Sequence, residues 1–227
     1  MDLTMLRQIC RRSRITTLLQ REHNTVPQNV VTALLGASSN QATVSPKLHR
    51  LSDHQYDAWL AHLNSSNGSE QLIRHRNKFP HPEGASILSP WVVPHKYMEY
   101  KTRTYSVYHM HPGNSSISFC LDDKSTNAGF ILSIWSHEAS PETSPTIYLL
   151  VSPHLRLLPR DARHNPYVDF PGLKADVVYA QRAEENKHLV IKASSIIGHV
   201  PFYARPKGTF GIKKPTLVIV DSLHRNL

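Results

Sequence analysis

Two periods of hydrophobicity divide the chain. Leu3, Leu6, Ile9, Cys10, Leu18 and Leu19 recur at helical spacing with arginines on the other faces, which predicts an amphipathic helix over 3–21. A second apolar run, Val26 to Leu35, stops at Gly36. Residues 37–47 are rich in Ser, Asn, Gln and Thr and carry no period, the pattern of a linker. Ser52 and Gln55 then stand at capping-box spacing, where each side chain can bond the other's backbone amide. Tyr56, Trp59, Leu60 and Leu63 follow as one helical stripe, expected to pack on a β domain. Asn64-Ser-Ser-Asn-Gly supplies the stop, because Asn and Gly tolerate a left-handed closing turn.

After Pro90 the period changes to two. Tyr105, Val107 and His109 alternate with polar positions, and Ile117, Phe119 and Leu121 do the same beyond a turn at His111-Pro-Gly-Asn. Gly129–Trp135, Thr146–Val151, Asp176–Ala180, His188–Lys192 and Thr216–Val220 are short, aromatic or β-branched, and bounded by turn residues. Connections this short leave no room for helical crossovers, so antiparallel pairing is expected. The pattern predicts a mainly β fold with N-terminal helices (α+β). Its centre is a small antiparallel, partly open β-barrel preceded by two or three helices. The predicted organisation is a helical remnant of an upstream domain (1–36), a linker (37–50), a helix with a proline-rich extended connector (51–100), and a barrel-like domain (101–227).

Composition sharpens this picture. Sixteen prolines against nine glycines restrict helices to the few proline-free stretches, while 40% apolar residues suffice for a core. The formal charge of +9 is concentrated at the ends. Residues 1–21 hold five arginines against Asp2, a net of +4, and residues 200–227 hold five cations against Asp221, again +4; the middle carries the remaining +1. Basic ends on a near-neutral body suit an acidic partner such as nucleic acid. Two distant cysteines, Cys10 and Cys120, exclude a disulfide framework or a paired-cysteine zinc site and suggest a reducing compartment. No apolar stretch approaches the ~20 residues that a spanning helix needs. No membrane partner is therefore expected, and the location expected is nuclear or cytoplasmic.

Fifteen histidines raise the question of a metal. His109 and His111 would face the same way on a strand, but Pro112 ends any strand there, and His137, His154 and His164 stand at no recognisable spacing to them. Asp161, His164 and Asp169 crowd one loop, where turn formation is the simpler role, with Tyr167 and Phe170 expected to anchor it in the core. Ser194 and Ser195 lie outside any nucleophile-elbow context, and no glycine loop cradles phosphate. No catalytic residue, metal ligand, cofactor or small-molecule substrate is assigned. Recognition remains. The residues proposed for it are Arg11, Arg12, Arg14, Lys207, Lys213 and Lys214 by charge, and Trp135 and Tyr148, with Tyr105 and Tyr108, as a stacking platform if their rings are exposed.

One family resemblance spans nearly the whole chain. It runs through Arg103-Thr-Tyr-Ser, His111-Pro-Gly-Asn-Ser-Ser-Ile-Ser-Phe, Gly129-Phe-Ile-Leu-Ser-Ile and Tyr148-Leu-Leu-Val. It continues through Leu157 to Asp161, Asn165-Pro-Tyr-Val-Asp-Phe-Pro, Val178-Tyr, Ile196-Ile-Gly-His-Val and Val218-Ile-Val-Asp. These segments resemble the C-terminal region of proteins carried by Plavaka-type, CACTA-like DNA transposons of mushroom-forming fungi. The start Leu3-Thr-Met-Leu-Arg-Gln-Ile-Cys-Arg-Arg-Ser is similar to the end of a transposase-associated domain that precedes the region in such elements. The resemblance implies an accessory, non-catalytic module or relic, since the acidic catalytic residues of those elements lie upstream. More distantly, the β region and Ile196-Ile-Gly-His-Val resemble the barrel of bromo-adjacent-homology modules, which bind chromatin proteins. A scaffold for the upstream transposase is the alternative, and a metal-dependent hydrolase using His109 and His111 a second.

Overall fold

The capping box forms as its spacing predicts. In the computed structural model the Gln55 amide donates to Ser52 Oγ at 3.3 Å and the Ser52 amide to Gln55 Oε1 at 3.1 Å, and helix α1 (Asp53–Ser66) begins there. The Asn64 side chain bonds the backbone N–H and C=O of Ile73 at 2.9 and 3.1 Å, tying the helix end to the returning chain. The residues described are 47–66, 73–81, 83, 85–121, 125–138 and 144–221, all within one unit, Pro46–Leu227. The helices expected before residue 36, with Arg11, Arg12 and Arg14, lie outside the described residues.

Before α1, strand β1 (His49–Arg50) pairs with β2 (Trp91–His95). A hairpin of β3 (Tyr97–Tyr100) and β4 (Arg103–Ser106) stands apart. The four-residue helix α2 (Pro112–Ser115) leads into β5 (Ser116–Cys120), β6 (Thr126–His137) and β7 (Thr146–Arg156). After helix α3 (Pro159–Ala162) come β8 (Ala175–Arg182), β9 (Leu189–Lys192), β10 (Ile196–His199), β11 (Phe202–Arg205) and β12 (Thr216–Val220). The fold is mainly β with few helices, and its strands pair antiparallel, as the period of two predicts. Among the described residues ten strands join one sheet, and no hydrogen-bonded ring closes among these strands.

Two long strands organise the sheet. β6 pairs with β5 through its first half and β2 through its last, while β7 pairs with β9 first and β8 last. Register shifts between Ile131 and Ser133 and between His154 and Leu155 bend the strands where their partners change. Gly129 permits the tightest approach: a Cβ there would stand 2.5 Å from the Ser152 carbonyl oxygen. The order β10-β5-β6-β7-β9 curls around Ile117, Phe119, Ile131, Leu149 and Ile191, with Met98 and Tyr105 of the hairpin in the same core. A single 3-10 turn, Ala193–Ser195, carries the chain from β9 to β10. The α1 stripe packs as expected: Tyr56 and Trp59 are buried against Trp135, Tyr148, Leu150 and Val190, with Leu60 and Leu63 beside them. Trp59 meets the Trp135 and Tyr148 rings at centroid distances of 6.0 and 5.3 Å.

The structure corrects two local expectations. β4 ends at Ser106, so His109 is in a turn rather than alternating along a strand. Its partner His111 caps α2, its Nδ1 accepting from the Asn114 amide at 3.1 Å, because Pro112 suits the first helical position and no strand. The connector over 91–100 is also more than a connector, since Val93, Pro94 and His95 pair with Ser136, Trp135 and Ile134 inside the main sheet.

Truncating Trp59 to Ala removes one of the two fully buried tryptophan side chains and should cost about 3–5 kcal/mol in urea unfolding. A pH dependence follows as well. Burial drives His154 down to about 4 from its ordinary 6.5, and also lowers His137, His188 and His199. Between these pH values the unfolded chain binds more protons than the folded one. Stability is therefore complete above the ordinary histidine pKa and is lost as pH falls, with His154 contributing up to about 1.4 kcal/mol per pH unit. Unfolding midpoints measured on descending to about pH 4 should drop, and a flat profile would contradict the buried histidines.

Candidate nucleic-acid interface

Leu155 of β7, Tyr179 of β8, Thr216 of β12 and Arg205 of β11 stand in one register row across four strands. Tyr203, Val218 and Val177 form the next row on the same face. Two loops pack on this face, 157–170 and 206–214, and bring Leu157, Tyr167, Phe210 and Ile212 into one cluster with Val177, Tyr179 and Val218. The first loop is shaped by Asn165. Its Oδ1 accepts from the Tyr167 amide at 3.0 Å across Pro166, and its Nδ2 donates to Asp176 Oδ1 at 2.8 Å. In the second, Gly208 and Gly211 take positive φ of 91° and 75°, and the Gly208 amide closes the turn on the Ile212 carbonyl at 2.7 Å. The His164 ring lies against Gly211, which joins the loops.

Tyr179 is where the two loops meet chemically. Its hydroxyl donates to the Asp161 carboxylate and accepts from the Leu158 amide at 3.2 Å. The Lys214 ammonium stands over the same ring, 5.0 Å from its centroid. Burial first, and then the Asp161 carboxylate, raises the Tyr179 hydroxyl above its ordinary pKa, so it remains a donor. Around this hub Arg160, Arg163, Lys207, Lys213 and Lys214 are exposed and Arg205 is half-buried. Five of these cations belong to the two loops, which also hold Asp161 and Asp169, so the loops carry 5 − 2 = +3. Asp161 is already shared between Tyr179 and Arg160, the latter at 3.7 Å. At the rim, the Arg205 guanidinium covers one face of the Tyr203 ring at 4.5 Å, and that ring is 63% exposed.

Of the residues proposed from sequence, Lys207, Lys213 and Lys214 are on this surface. Trp135 and Tyr148 are not available to a ligand. They are 1% and 6% exposed, face each other across β6 and β7, and are covered by Trp59. Tyr105 is buried against His199 at 4.3 Å, and Tyr108 is half-buried under Arg182. The stacking platform expected of these four rings is therefore core. The anchoring role expected of Phe170 also fails, since its ring is 60% exposed, whereas Tyr167 anchors as predicted. His109 and His111 stand on a turn and a helix cap, and among the described residues no group of three or more His, Cys, Asp or Glu is placed to hold a metal. Ser194 and Ser195 belong to the 3-10 turn before β10.

Sequence reasoning assigned no binding role to Arg160, Arg163, Arg205 or Tyr179. The arginines of Pro159-Arg-Asp-Ala-Arg were read with the acids and histidine of a turn, and Arg205 only as part of the basic C-terminal end. No family model, curated protein or solved structure matches this chain. No helix among the described residues is long and apolar enough to cross a membrane.

The hub makes a direct prediction. Tyr179→Phe leaves the ring packed but strips Asp161 and the Leu158 amide of their partner, which should cost about 1–3 kcal/mol. Limited proteolysis should then cut first within 157–170. Unchanged stability and unchanged cutting would show that the hydroxyl does not hold the loops.

Proposed function

We propose that this chain is a non-catalytic module of a transposon-derived protein that binds nucleic acid through the loops over Tyr179. The observation that carries the reading is the convergence of two cationic segments, about forty residues apart in sequence, on one tyrosine ring. Phosphate oxygens are the natural partners of guanidinium and ammonium groups presented together with so few acids between them. The resemblance to Plavaka-type transposon proteins supports DNA as the polymer and the nucleus as the place. The Ile196-Ile-Gly-His-Val segment, which carries the likeness to bromo-adjacent-homology modules, forms β10 and its exit, and supports a chromatin setting. Asp161, the acid of the candidate acid–base set, is held by the Tyr179 hydroxyl, which supports a binding role over a catalytic one.

Fluorescence anisotropy with labelled DNA across a salt series tests this. Affinity should fall steeply with salt. The double variants Arg160→Ala/Arg163→Ala and Lys213→Ala/Lys214→Ala should each weaken binding of all sequences alike and reduce the log–log salt slope by about 1.4–1.8. Binding that ignores salt, or that survives both double variants, would overturn the reading.

A further inference from the structure

The chain has three tryptophans, and two are sealed in the core at 0% and 1% exposure, Trp59 and Trp135. Trp91 is 46% exposed. It opens β2, directly opposite Arg50 in the β1–β2 register, and lines a cleft of about 360 Å³ with Arg50, Asp53, Arg76 and Asn77. The cleft is built rather than accidental. The Tyr56 hydroxyl donates to the Leu88 carbonyl at 2.7 Å and accepts from the Arg76 amide at 3.1 Å. The His75 ring packs edge-on to Tyr56 at 4.8 Å, its Nε2 stands 3.3 Å from Asp57, and its Nδ1 accepts from the Asn77 amide at 3.0 Å. The backbone amides of Arg76 and Asn77 are thus each held by a side chain, Tyr56 and His75, while both residues remain exposed. Arg50 meets Asp53 at 3.4 Å, but with side chains 56% and 89% exposed that pair contributes little in water and yields readily to a stronger anion.

An indole, two arginines, an amide and a carboxylate on the walls of one cleft match a planar heterocycle that carries an anionic group. The ring stacks on Trp91, the anion takes the guanidinium forks of Arg50 and Arg76, and Asn77 and Asp53 meet the hydrogen-bonding edge of the ring. We infer that this cleft receives one unpaired nucleotide, so that the nucleic acid bound by this protein is single-stranded where it meets Trp91. The inference rests on the nucleic-acid reading above and narrows it. A duplex keeps its base faces stacked inside and offers Trp91 nothing to cover. Tyr203 repeats the arrangement at the other end of the sheet, an exposed ring beside a guanidinium.

Because Trp91 is the accessible tryptophan, acrylamide quenching of the intact chain reports on the cleft alone. A homopyrimidine single strand should protect Trp91 from acrylamide. A duplex of equal length, held by the Tyr179 face, should leave it quenchable. Trp91→Ala should weaken single-strand binding about tenfold with duplex binding unchanged, and Trp91→Phe, which keeps a ring, should recover most of the loss. Single-strand binding that leaves the quenching of Trp91 unaltered would overturn the inference while the cationic face stands. Failure of both polymers to bind would overturn both readings. The wild-type quenching measurement keeps the test decisive even if a variant folds poorly.

Discussion

β6 and β7 stay paired from His137 opposite Thr146 to Gly129 opposite Pro153, and the remaining elements take their positions from this ladder. Right-handed twist accumulates along paired strands of this length, so the two ends of the ladder face different ways. The register shifts at Ile131–Ser133 and His154–Leu155 turn this twist into a change of partners. At one end β2 and α1 cover Trp135 and Tyr148; at the other β8, β12 and β11 continue from the tail of β7. The close crossing at Gly129 belongs to the same constraint, since a side chain there would push β7 away from β6.

The functional surfaces follow from where that ladder ends. The tail of β7 places Leu155 in register with Tyr179, Thr216 and Arg205, and this row becomes the floor on which both loops pack. The loops must bury Tyr167, Phe210 and Ile212 on that floor, and their polar residues are left on the outside. The cations there are therefore a consequence of apolar burial beneath them. At the opposite edge, β1 ends the sheet as a two-residue strand, and that short edge leaves Trp91 half-covered beside Arg50.

Burial decided the fate of the aromatic residues. Trp135 and Tyr148 alternate correctly for strands, and alternation states only that they share a side of the sheet. Whether that side is covered depends on α1, a separate element that arrives from before residue 67. Trp91 was overlooked for the converse reason, as β2 contains Pro94 and His95 and shows no clean period of two. Phe170 carries a ring of the type that anchors loops, yet the Asn165 turn and Tyr167 already satisfy that need.

By itself the sequence determined what local forces control. Ser52 and Gln55 set the start of α1 through bonds spanning three residues, Pro112 took the first position of α2, and the β-branched runs became β7, β8, β9 and β12 because each favours extended backbone. The density of lysine and arginine near the C-terminus was equally legible, since charge needs no fold to be counted. Tertiary structure alone decided which residues meet. Arg160 reaches the neighbourhood of Lys214 only through the pairing of β8 with β12 and the ring of Tyr179, and Arg50 reaches Trp91 only through a two-residue pairing across forty residues of chain. Such encounters depend on register and on which faces are covered, and both emerge from packing summed over the whole domain rather than from any single segment.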